Sequence, residues 1–146
     1  MKTYLILPLI LSVIFLTACN TVPIASDDAD SLAKNFKPNA TKSKIYVYQT
    51  EPFSSITGVP IALDKKIAGE VTANSFYVWT VEPGRHVISS LTANKNNMWI
   101  DTEAGQNYYV KQTVNISIWK PTSLLEQVSE KEGIKAINQS KLIDVK

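Results

Sequence analysis

The stretch Asn107-Tyr-Tyr-Val-Lys-Gln-Thr-Val-Asn-Ile-Ser-Ile118 shows the clearest alternation of side chains in the sequence. One set of alternate positions is apolar apart from a single glutamine, and its members are Tyr108, Val110, Gln112, Val114, Ile116 and Ile118. Successive side chains of a β-strand point to opposite faces of the sheet, so this pattern predicts a strand with one face in a core. We expect the rest of the domain to be built around this strand.

Shorter segments of the same character lie on both sides of it. The predicted strands are 44–49, 59–63, 67–71, 75–81, 86–91, 98–101 and 123–128, and a final short strand over 141–145 is left open. Residues 75–81 are apolar at nearly every position, so we expect that strand to be covered on both faces. Turn sequences separate the strands. The strongest is Glu82-Pro83-Gly84-Arg85, because Pro and Gly adopt the backbone angles that a tight turn needs.

A second turn, Glu103-Ala104-Gly105, predicts how two of the strands pair. A three-residue loop that contains Gly is typical of a β-hairpin. Stepping outward from this loop places Trp99 opposite Tyr109. We therefore expect strands 98–101 and 107–118 to be neighbours in one sheet.

Two short helices are predicted at the ends of the domain. The first covers 31–36, with Asp30 or Ser31 as its N-cap. The second begins at Ser129, whose spacing from Glu132 is that of a capping box, and continues to about residue 138. The fold class is therefore mainly β: an antiparallel β-sandwich of about seven to eight strands with a short N-terminal helix and a short C-terminal helix.

The N-terminal residues have a different character. An apolar run from Leu5 to Leu16 follows Lys2 and ends at small residues, which is typical of a secretory signal peptide. The run is shorter than the ~20 residues that a membrane-spanning helix needs, and Pro8 interrupts it. We expect this segment to direct export and then to be removed.

The end of this run, Leu16-Thr17-Ala18-Cys19, resembles the lipobox of bacterial lipoproteins. The resemblance implies cleavage before Cys19, transfer of diacylglycerol to the Cys19 thiol and acylation of the new amino group. Burial of acyl chains contributes about 0.8 kcal/mol per CH₂, so two or more chains hold a protein on a membrane. The resulting division is a lipoprotein signal peptide over 1–18, a lipidated tether over 19–30 and a single β-sandwich-like domain over 31–146.

The residue after the cysteine bears on the location. In lipoproteins of the enteric type, an Asp at this position favours retention at the inner membrane. This chain has Asn20 there, which favours delivery to the outer membrane. We expect the protein in the bacterial cell envelope, bound to the membrane through the lipid anchor on Cys19 and facing the periplasm.

The composition argues against several classes of function. Without Lys2, the remaining chain has 14 basic and 13 acidic residues, whereas domains that bind nucleic acid carry a strongly basic patch. Acylation of the single Cys leaves no thiol for a disulfide or a metal site. The 5 glycines form no phosphate-binding loop. We therefore expect no nucleic-acid partner, no metal and no cofactor.

His86 is the single histidine of the chain. A catalytic imidazole needs a nucleophile or an orienting group beside it, and the sequence indicates neither. Its position just after Pro83-Gly84 favours a structural role, in which the side chain holds the turn through a bond to the backbone. We predict that the protein is not an enzyme and has no catalytic residues.

Four aromatic residues are the candidate binding surface. They lie opposite the apolar faces of their predicted strands and are Trp99, Tyr109, Tyr46 and Tyr48. Exposed aromatic patches usually mark binding sites. Two interpretations stay open, because the terminal helices could instead cover these side chains and make them part of a core.

Several short segments occur in the order seen in a known family. They are Ala33-Lys34-x-Phe36-x-Pro38, Lys44-Ile-Tyr-Val-Tyr48, Leu63-Asp64, Gly69-Glu70, Val81-Glu-Pro-Gly-Arg-His86, Glu103-Ala-Gly105 and Tyr108-Tyr-Val110. Together they resemble a family of bacterial lipoproteins whose shared domain has no assigned function. The Pro-Gly-Arg-His turn is also similar to that of small β-sandwich domains named for a Pro-Glu-Gly-Ala motif. The family implies no catalytic residues, and Lys65 stands where it often has Gly.

Two functions follow as hypotheses. In the first, the protein is a membrane-anchored envelope lipoprotein that acts as a non-enzymatic structural or protein-interaction module. In the second, it is a module that binds cell-wall glycan through an exposed aromatic face. The expected partners are accordingly an envelope protein or peptidoglycan.

Overall fold

The computed structural model describes residues 22–51, 58–116 and 120–144. In chain order its elements are α1 (Asp27–Ala33), β1 (Ser43–Gln49), β2 (Val59–Leu63), β3 (Lys66–Val71), β4 (Ser75–Val81), β5 (Gly84–Ser90), β6 (Asn96–Thr102), β7 (Asn107–Ile116), β8 (Pro121–Val128), α2 (Glu130–Asn138) and β9 (Lys141–Leu142). None of the helices in these ranges is long and apolar enough to cross a bilayer. Cys19, the signal peptide and Ile118 lie outside the described residues.

The strands form two sheets, and the predicted mainly β fold is confirmed. One sheet has the order β8-β7-β1-β4-β9 and the other the order β3-β2-β5-β6. The expected purely antiparallel pairing is wrong at two places, because β1 pairs with β7 and β4 with β9 in parallel. Parallel neighbours need a crossover between them. Between β1 and β7 that crossover includes the whole four-stranded sheet.

The main core lies between the two sheets. Its completely buried residues include Ile45, Val47, Ile61, Ile88 and Val110. The alternation predicted for 107–116 is confirmed over most of β7, where Val110, Gln112 and Val114 are buried. It fails at the end of the strand, because Ile116 is 57% exposed.

The predicted hairpin around Glu103-Ala104-Gly105 is wrong. β6 pairs with β5, whereas β7 pairs with β1 and β8, so these residues connect one sheet to the other. Gly105 N donates to Asn39 O and Lys42 O, both at 3.0 Å, which fixes the connection to the segment before β1. Gly105 has φ +79, a backbone conformation that favours glycine. The sequence therefore predicted the turn correctly, but the strands on its two sides do not pair with each other.

A second apolar cluster lies on the outer face of the five-stranded sheet. We call this side the covered face; its buried members are Tyr46, Tyr48, Phe76, Tyr109 and Ile137. Ile137 comes from α2, and the partly buried Phe36 and Ile134 pack against the cluster. The predicted capping box of α2 is confirmed at its first bond, since Ser129 Oγ accepts from Glu132 N at 3.3 Å. The domain is therefore three layers deep: helices, five-stranded sheet and four-stranded sheet.

The segment before β1 differs from the prediction. Helix α1 begins at Asp27 with Ser26 as its N-cap, four residues before the predicted start. Asp30 is a buried helical residue and no cap: its side chain accepts from Lys34 Nζ and Leu142 N, both at 2.7 Å. Ile24 forms a β-bridge with Ile143. Residues 22–30 thus belong to the folded domain, and the predicted tether over 19–30 is too long.

Candidate functional site

The outer face of the four-stranded sheet has no helix packed on it within the described ranges. We call it the open face and define it by Ile67, Arg85, Val87, Trp99 and Asp101. The register of β5 and β6 places Val87 opposite Trp99 and Arg85 opposite Asp101. These side chains share one face because they occupy alternate positions of adjacent strands.

Trp99 is the most prominent group on the open face. Its side chain is 61% exposed, although it lies within a strand. The Arg85 guanidinium carbon lies 5.1 Å from the centre of the indole ring, within the distance of a cation–π interaction. Arg85 Nε also lies 3.8 Å from Asp101 Oδ1. The result is a flat aromatic surface with a cation and a carboxylate beside it.

The other three predicted aromatic residues are not on this surface. Tyr46, Tyr48 and Tyr109 are 0%, 1% and 2% exposed, so the predicted four-residue binding surface is wrong. Tyr46 and Tyr109 stack with ring centroids 5.3 Å apart. The interpretation in which the terminal helices cover these side chains is the correct one, and Trp99 alone remains available to a partner.

Burial changes the chemistry of these phenols. It raises the pKa of Tyr48 to about 12, with a smaller contribution from the nearby Glu132 and Glu51 carboxylates. Burial likewise raises the pKa of Tyr46, whose hydroxyl donates to Ala33 O at 3.1 Å. The phenols stay neutral at physiological pH and serve as packing groups.

His86 joins two turns at one end of the four-stranded sheet. Its Nδ1 lies 2.7 Å from Asp64 Oδ2, and its Nε2 lies 2.8 Å from Glu82 O. Asp64 Oδ1 in turn accepts from Val87 N at 3.0 Å. The predicted backbone bond of His86 is confirmed. Asp64 has a φ of +49, a backbone conformation that Asp tolerates.

The charge state of this pair follows from its contacts. Burial tends to lower the pKa of His86, but the bonds to Asp64 and Glu82 O outweigh it and raise the pKa above its usual value. For Asp64, burial tends to raise the pKa, and the bonds from His86 and Val87 N lower it overall. Both ring nitrogens face acceptors, which suits an imidazolium that donates twice. This ring has no nitrogen left to act as a general base.

A buried polar network crosses the core at the other end of the sheet. Gln112 Nε2 donates to Ser90 Oγ at 2.6 Å, and Ser123 Oγ donates to the same oxygen at 2.6 Å. Thr92 Oγ1 lies 2.7 Å from Ser123 Oγ. The network links β5 to β7 and β8, so Gln112, the polar exception in the alternation, joins the two sheets. A hydroxyl nucleophile requires an adjacent base, and the partners here are hydroxyls and an amide.

The part of the chain that the structure describes also contains a small cleft beside α2. Its volume is about 210 Å³, and its lining includes Tyr48, Lys111, Glu132, Lys135 and Gln139. This is below the roughly 300–1,000 Å³ of typical ligand pockets. Among the described residues, no group of three or more His, Cys, Asp and Glu side chains is placed to hold a metal ion. The open face is thus the best candidate for recognition.

Arg85 is the functional candidate that the sequence interpretation missed. It was assigned to the turn after Gly84, but it is the second residue of β5. Pairing strand 86–91 with strand 98–101 would have placed it beside Trp99. The sequence analysis instead paired 98–101 with 107–118 across the Glu103-Ala104-Gly105 turn.

Fold and surface together define a small two-sheet β domain with one covered and one open face. The chain belongs to a family described as "Protein of unknown function (DUF2846)", whose model matches residues 39–124. An uncharacterized protein of Haemophilus influenzae is 34% identical over 128 residues, which cover 86% of this chain and 76% of that protein. The predicted relationship to a family without an assigned function is confirmed. The lipobox and the similarity to Pro-Glu-Gly-Ala domains stay predictions.

Proposed function

We propose that this protein is a membrane-anchored envelope lipoprotein and that its domain binds a partner protein through the open face, without catalysing a reaction. The observation that carries the proposal is the exposed Trp99, stacked with Arg85 on a sheet face that neither of the described helices covers. Among the described residues, the other aromatic side chains of the strands are buried or partly buried. An indole left in water across the middle of a strand is best explained by a partner that covers it.

The chemistry of the open face is that of a protein interface. Trp and Arg are among the residues that most often dominate binding energy, and charged or polar groups usually surround them. Trp99 would supply the apolar anchor, while Arg85 and Asp101 would supply one donor and one acceptor at its side. Ile67, 68% exposed on β3, extends the apolar area across the sheet.

The absence of catalysis is proposed from the contacts of His86. Its two ring nitrogens bond Asp64 and Glu82 O, and these bonds raise the pKa of His86 above its usual value. A general base must be free to accept a proton near pH 7. His86 instead fastens the β2–β3 turn to the β4–β5 turn.

The membrane anchor is proposed from the Leu16-Thr17-Ala18-Cys19 tetrad. We expect cells supplied with a labelled fatty acid to incorporate it into the wild-type protein and not into Cys19→Ala. Labelling of Cys19→Ala at the wild-type level would contradict acylation at this residue. The open-face proposal is tested separately, because it does not depend on the anchor.

In-cell photo-crosslinking tests the open face. A photoreactive amino acid at Val87, beside Trp99, should capture a discrete partner, whereas the same amino acid at Lys131, on the exposed side of α2, should not. Adding Trp99→Ala or Arg85→Ala should reduce capture at Val87 at unchanged protein level. Equal capture from Val87 and Lys131, or capture that survives both substitutions, would contradict the proposal.

Cell-wall glycan is the second candidate ligand. The exposed indole with a carboxylate and a guanidinium beside it also suits a sugar ring, which offers an apolar face and hydroxyl groups. Purified peptidoglycan should then sediment the domain, and Trp99→Ala should abolish sedimentation. If sedimentation depends on Trp99 and no protein is captured from Val87, the ligand of the open face is glycan and not a protein.

A further inference from the structure

Strand β6 forms one edge of the four-stranded sheet. It pairs with β5 along all of its 7 residues, from Asn96 to Thr102, without a register shift. In an antiparallel ladder, facing residues alternate between hydrogen-bonded and non-bonded pairs. Val87 of β5 bonds the other way, toward β2, because its carbonyl oxygen accepts from Asp64 N at 2.9 Å. Val87 and Trp99 are therefore a non-bonded pair of the β5–β6 ladder.

The outer edge of β6 consequently carries backbone groups without partners. Trp99 and the residues two positions away from it, Asn97 and Asp101, turn their N–H and C=O groups away from β5. Within the part of the chain that the structure describes, no other group bonds to them. All three residues are exposed. A row of unpaired N–H and C=O groups is a template for pairing with a further strand.

The other edges of the two sheets have features that limit such pairing. On β8, the N–H groups of Ser123 and Leu125 donate to the side-chain oxygens of Asn94 and Asn96, at 3.0 and 2.9 Å. The β2–β3 ladder has a register shift, and β9 is 2 residues long. Bulges, short strands, lysine and proline are the usual protections of an edge. β6 has no register shift and contains neither lysine nor proline.

The β6 edge is also complementary to itself. Trp99 is the middle residue of the strand. If two copies lie antiparallel with their Trp99 residues facing each other, Asn97 of each copy faces Asp101 of the other, and Met98 faces Ile100. A closed two-fold dimer requires this kind of symmetry, in which the same surface serves on both sides. The amide–carboxylate and apolar pairs are both favourable across strands.

The charges next to the strand fit the same arrangement. Lys95 precedes β6 and Glu103 follows it, so Lys95 of each copy comes to lie beside Glu103 of the other. Both side chains are exposed, and among the described residues neither forms an ion pair. The one charge within the strand, Asp101, faces the neutral Asn97. No like charges are therefore opposed along this edge.

We propose that two copies of this chain pair through the outer edges of β6, antiparallel and centred on Trp99, so that their four-stranded sheets form one continuous sheet. The facing pairs that involve Asn97, Trp99 and Asp101 would each exchange two hydrogen bonds, with Cα atoms about 5.5 Å apart. The two-fold axis is perpendicular to the sheet, so both open faces lie on the same side. The two indoles then meet across the axis and join the open faces into one surface. The pairing requires neither acylation of Cys19 nor a partner on the open face.

Photo-crosslinking between two tagged copies tests this pairing in the full chain. Two full-length copies with different tags are expressed together, and one carries a photoreactive amino acid in place of Glu103. In the control the same amino acid replaces Lys131, which is exposed on α2. We expect a species that contains both tags to form from position 103, several-fold more abundant than from position 131. Equal amounts from the two positions, or capture of a different protein in place of the second copy, would overturn the proposal.

Charges at Asn97 test the register of the pairing. Asn97→Asp in both copies would place a carboxylate opposite Asp101, and like charges directly opposite each other weaken strand pairing. We expect capture from position 103 to fall several-fold in Asn97→Asp and to persist or rise in Asn97→Lys. Combining Asn97→Asp with Asp101→Asn exchanges the two groups and should restore capture. Immunoblots of both tags verify equal protein levels. Capture that does not distinguish Asn97→Asp from Asn97→Lys, or that the exchange does not restore, would overturn this pairing.

Discussion

The two sheets of this domain present aromatic side chains outward in different ways. On the covered face, Phe36 lies 5.6 Å from Tyr46 and 6.2 Å from Tyr109, measured between ring centroids, and α2 packs over the cluster. On the open face, Trp99 has the Arg85 guanidinium beside it and remains mostly in water. Both faces place aromatic residues at the outward positions of their strands.

The difference shows that strand periodicity alone does not distinguish a core from a binding surface. Tyr109 and Trp99 both occupy outward positions, yet one is 2% and the other 61% exposed. The two residues differ because α2 packs closely against Tyr109, whereas neither described helix packs against Trp99. Gly133 of α2 provides that fit, since a Cβ there would lie 2.5 Å from Tyr109 Cβ. The covered face thus depends on packing, and the open face does not.

The largest effect should come from removing a ring of the covered face. Tyr109→Ala in the chain from Asn20 onward should lower the free energy of unfolding by about 3–5 kcal/mol, as for other buried aromatic residues. Urea denaturation followed by circular dichroism measures it. Tyr109→Phe is the matched control, because it keeps the ring. A loss below ~1 kcal/mol in Tyr109→Ala would mean that α2 does not seal this face.

A smaller loss of stability should follow from adding a side chain to α2 at Gly133, where the helix contacts the sheet. Ala is a better helix former than Gly by about 1 kcal/mol, so an exposed helical glycine would gain from Gly→Ala. At Gly133 we expect the reverse, with a net loss of about 1–3 kcal/mol, because the new methyl group would overlap the Tyr109 ring. Lys131→Ala on the same helix should change stability by less than ~0.5 kcal/mol. Stabilisation by Gly133→Ala would contradict the close contact.

The five-stranded sheet is covered by α2, whereas in the four-stranded sheet the His86–Asp64 pair connects two turns. The raised pKa of His86 means that its bond to Asp64 contributes stability below about pH 6.5, the usual histidine value, and loses it as pH rises through the higher folded-state pKa. The lowered pKa of Asp64 acts in the opposite direction, since its contribution is lost as pH falls below about 4. Stability from this pair is therefore greatest in between.

Thermal melts from pH 5 to pH 9 measure the effect. The melting temperature of the wild type should fall across the His86 titration, and that part of the pH dependence should vanish in His86→Gln. Asp64→Asn should remove it as well, because the neutral amide no longer favours the imidazolium. A profile of His86→Gln that runs parallel to the wild type would mean that the pair does not couple to folding.

The positions of strands, turns and helix caps could be predicted from the sequence, whereas the pairing of the strands could not. Strand positions came out within a few residues because alternation is a local property, and Ser129 was recognised as a cap from its spacing to Glu132. The partner of β7 is different, because a Gly-containing loop such as 103–105 can close a hairpin or cross between sheets. Its role here depends on the Gly105 N–H bonds to Asn39 O and Lys42 O, far away in sequence.

The prediction of the binding surface from the sequence was limited in the same way. Trp99 and the three tyrosines looked equivalent because each lies opposite an apolar strand face. The sequence before β1 and the helix α2 decide which of them are covered, and Gly133 of α2 lies directly against Tyr109. A glycine within a predicted helix, beside a strand rich in tyrosine, was the available signal.

The smallest effect on stability should come from the open face itself. Trp99→Ala removes the stacking with Arg85 and the cross-strand contact with Val87. Exposed contacts of these kinds contribute about 0.5–1 and 0.2–1 kcal/mol, so we expect a loss of about 1 kcal/mol, well below that of Tyr109→Ala. The same substitution should abolish partner capture from Val87. Ile67→Ala, on the same face but two strands away from β5, should retain most of the capture. If Trp99→Ala instead destabilised the domain by about 3–5 kcal/mol, as a buried Trp does, the indole would be a packing group, and the contrast between the two faces would no longer indicate a binding surface.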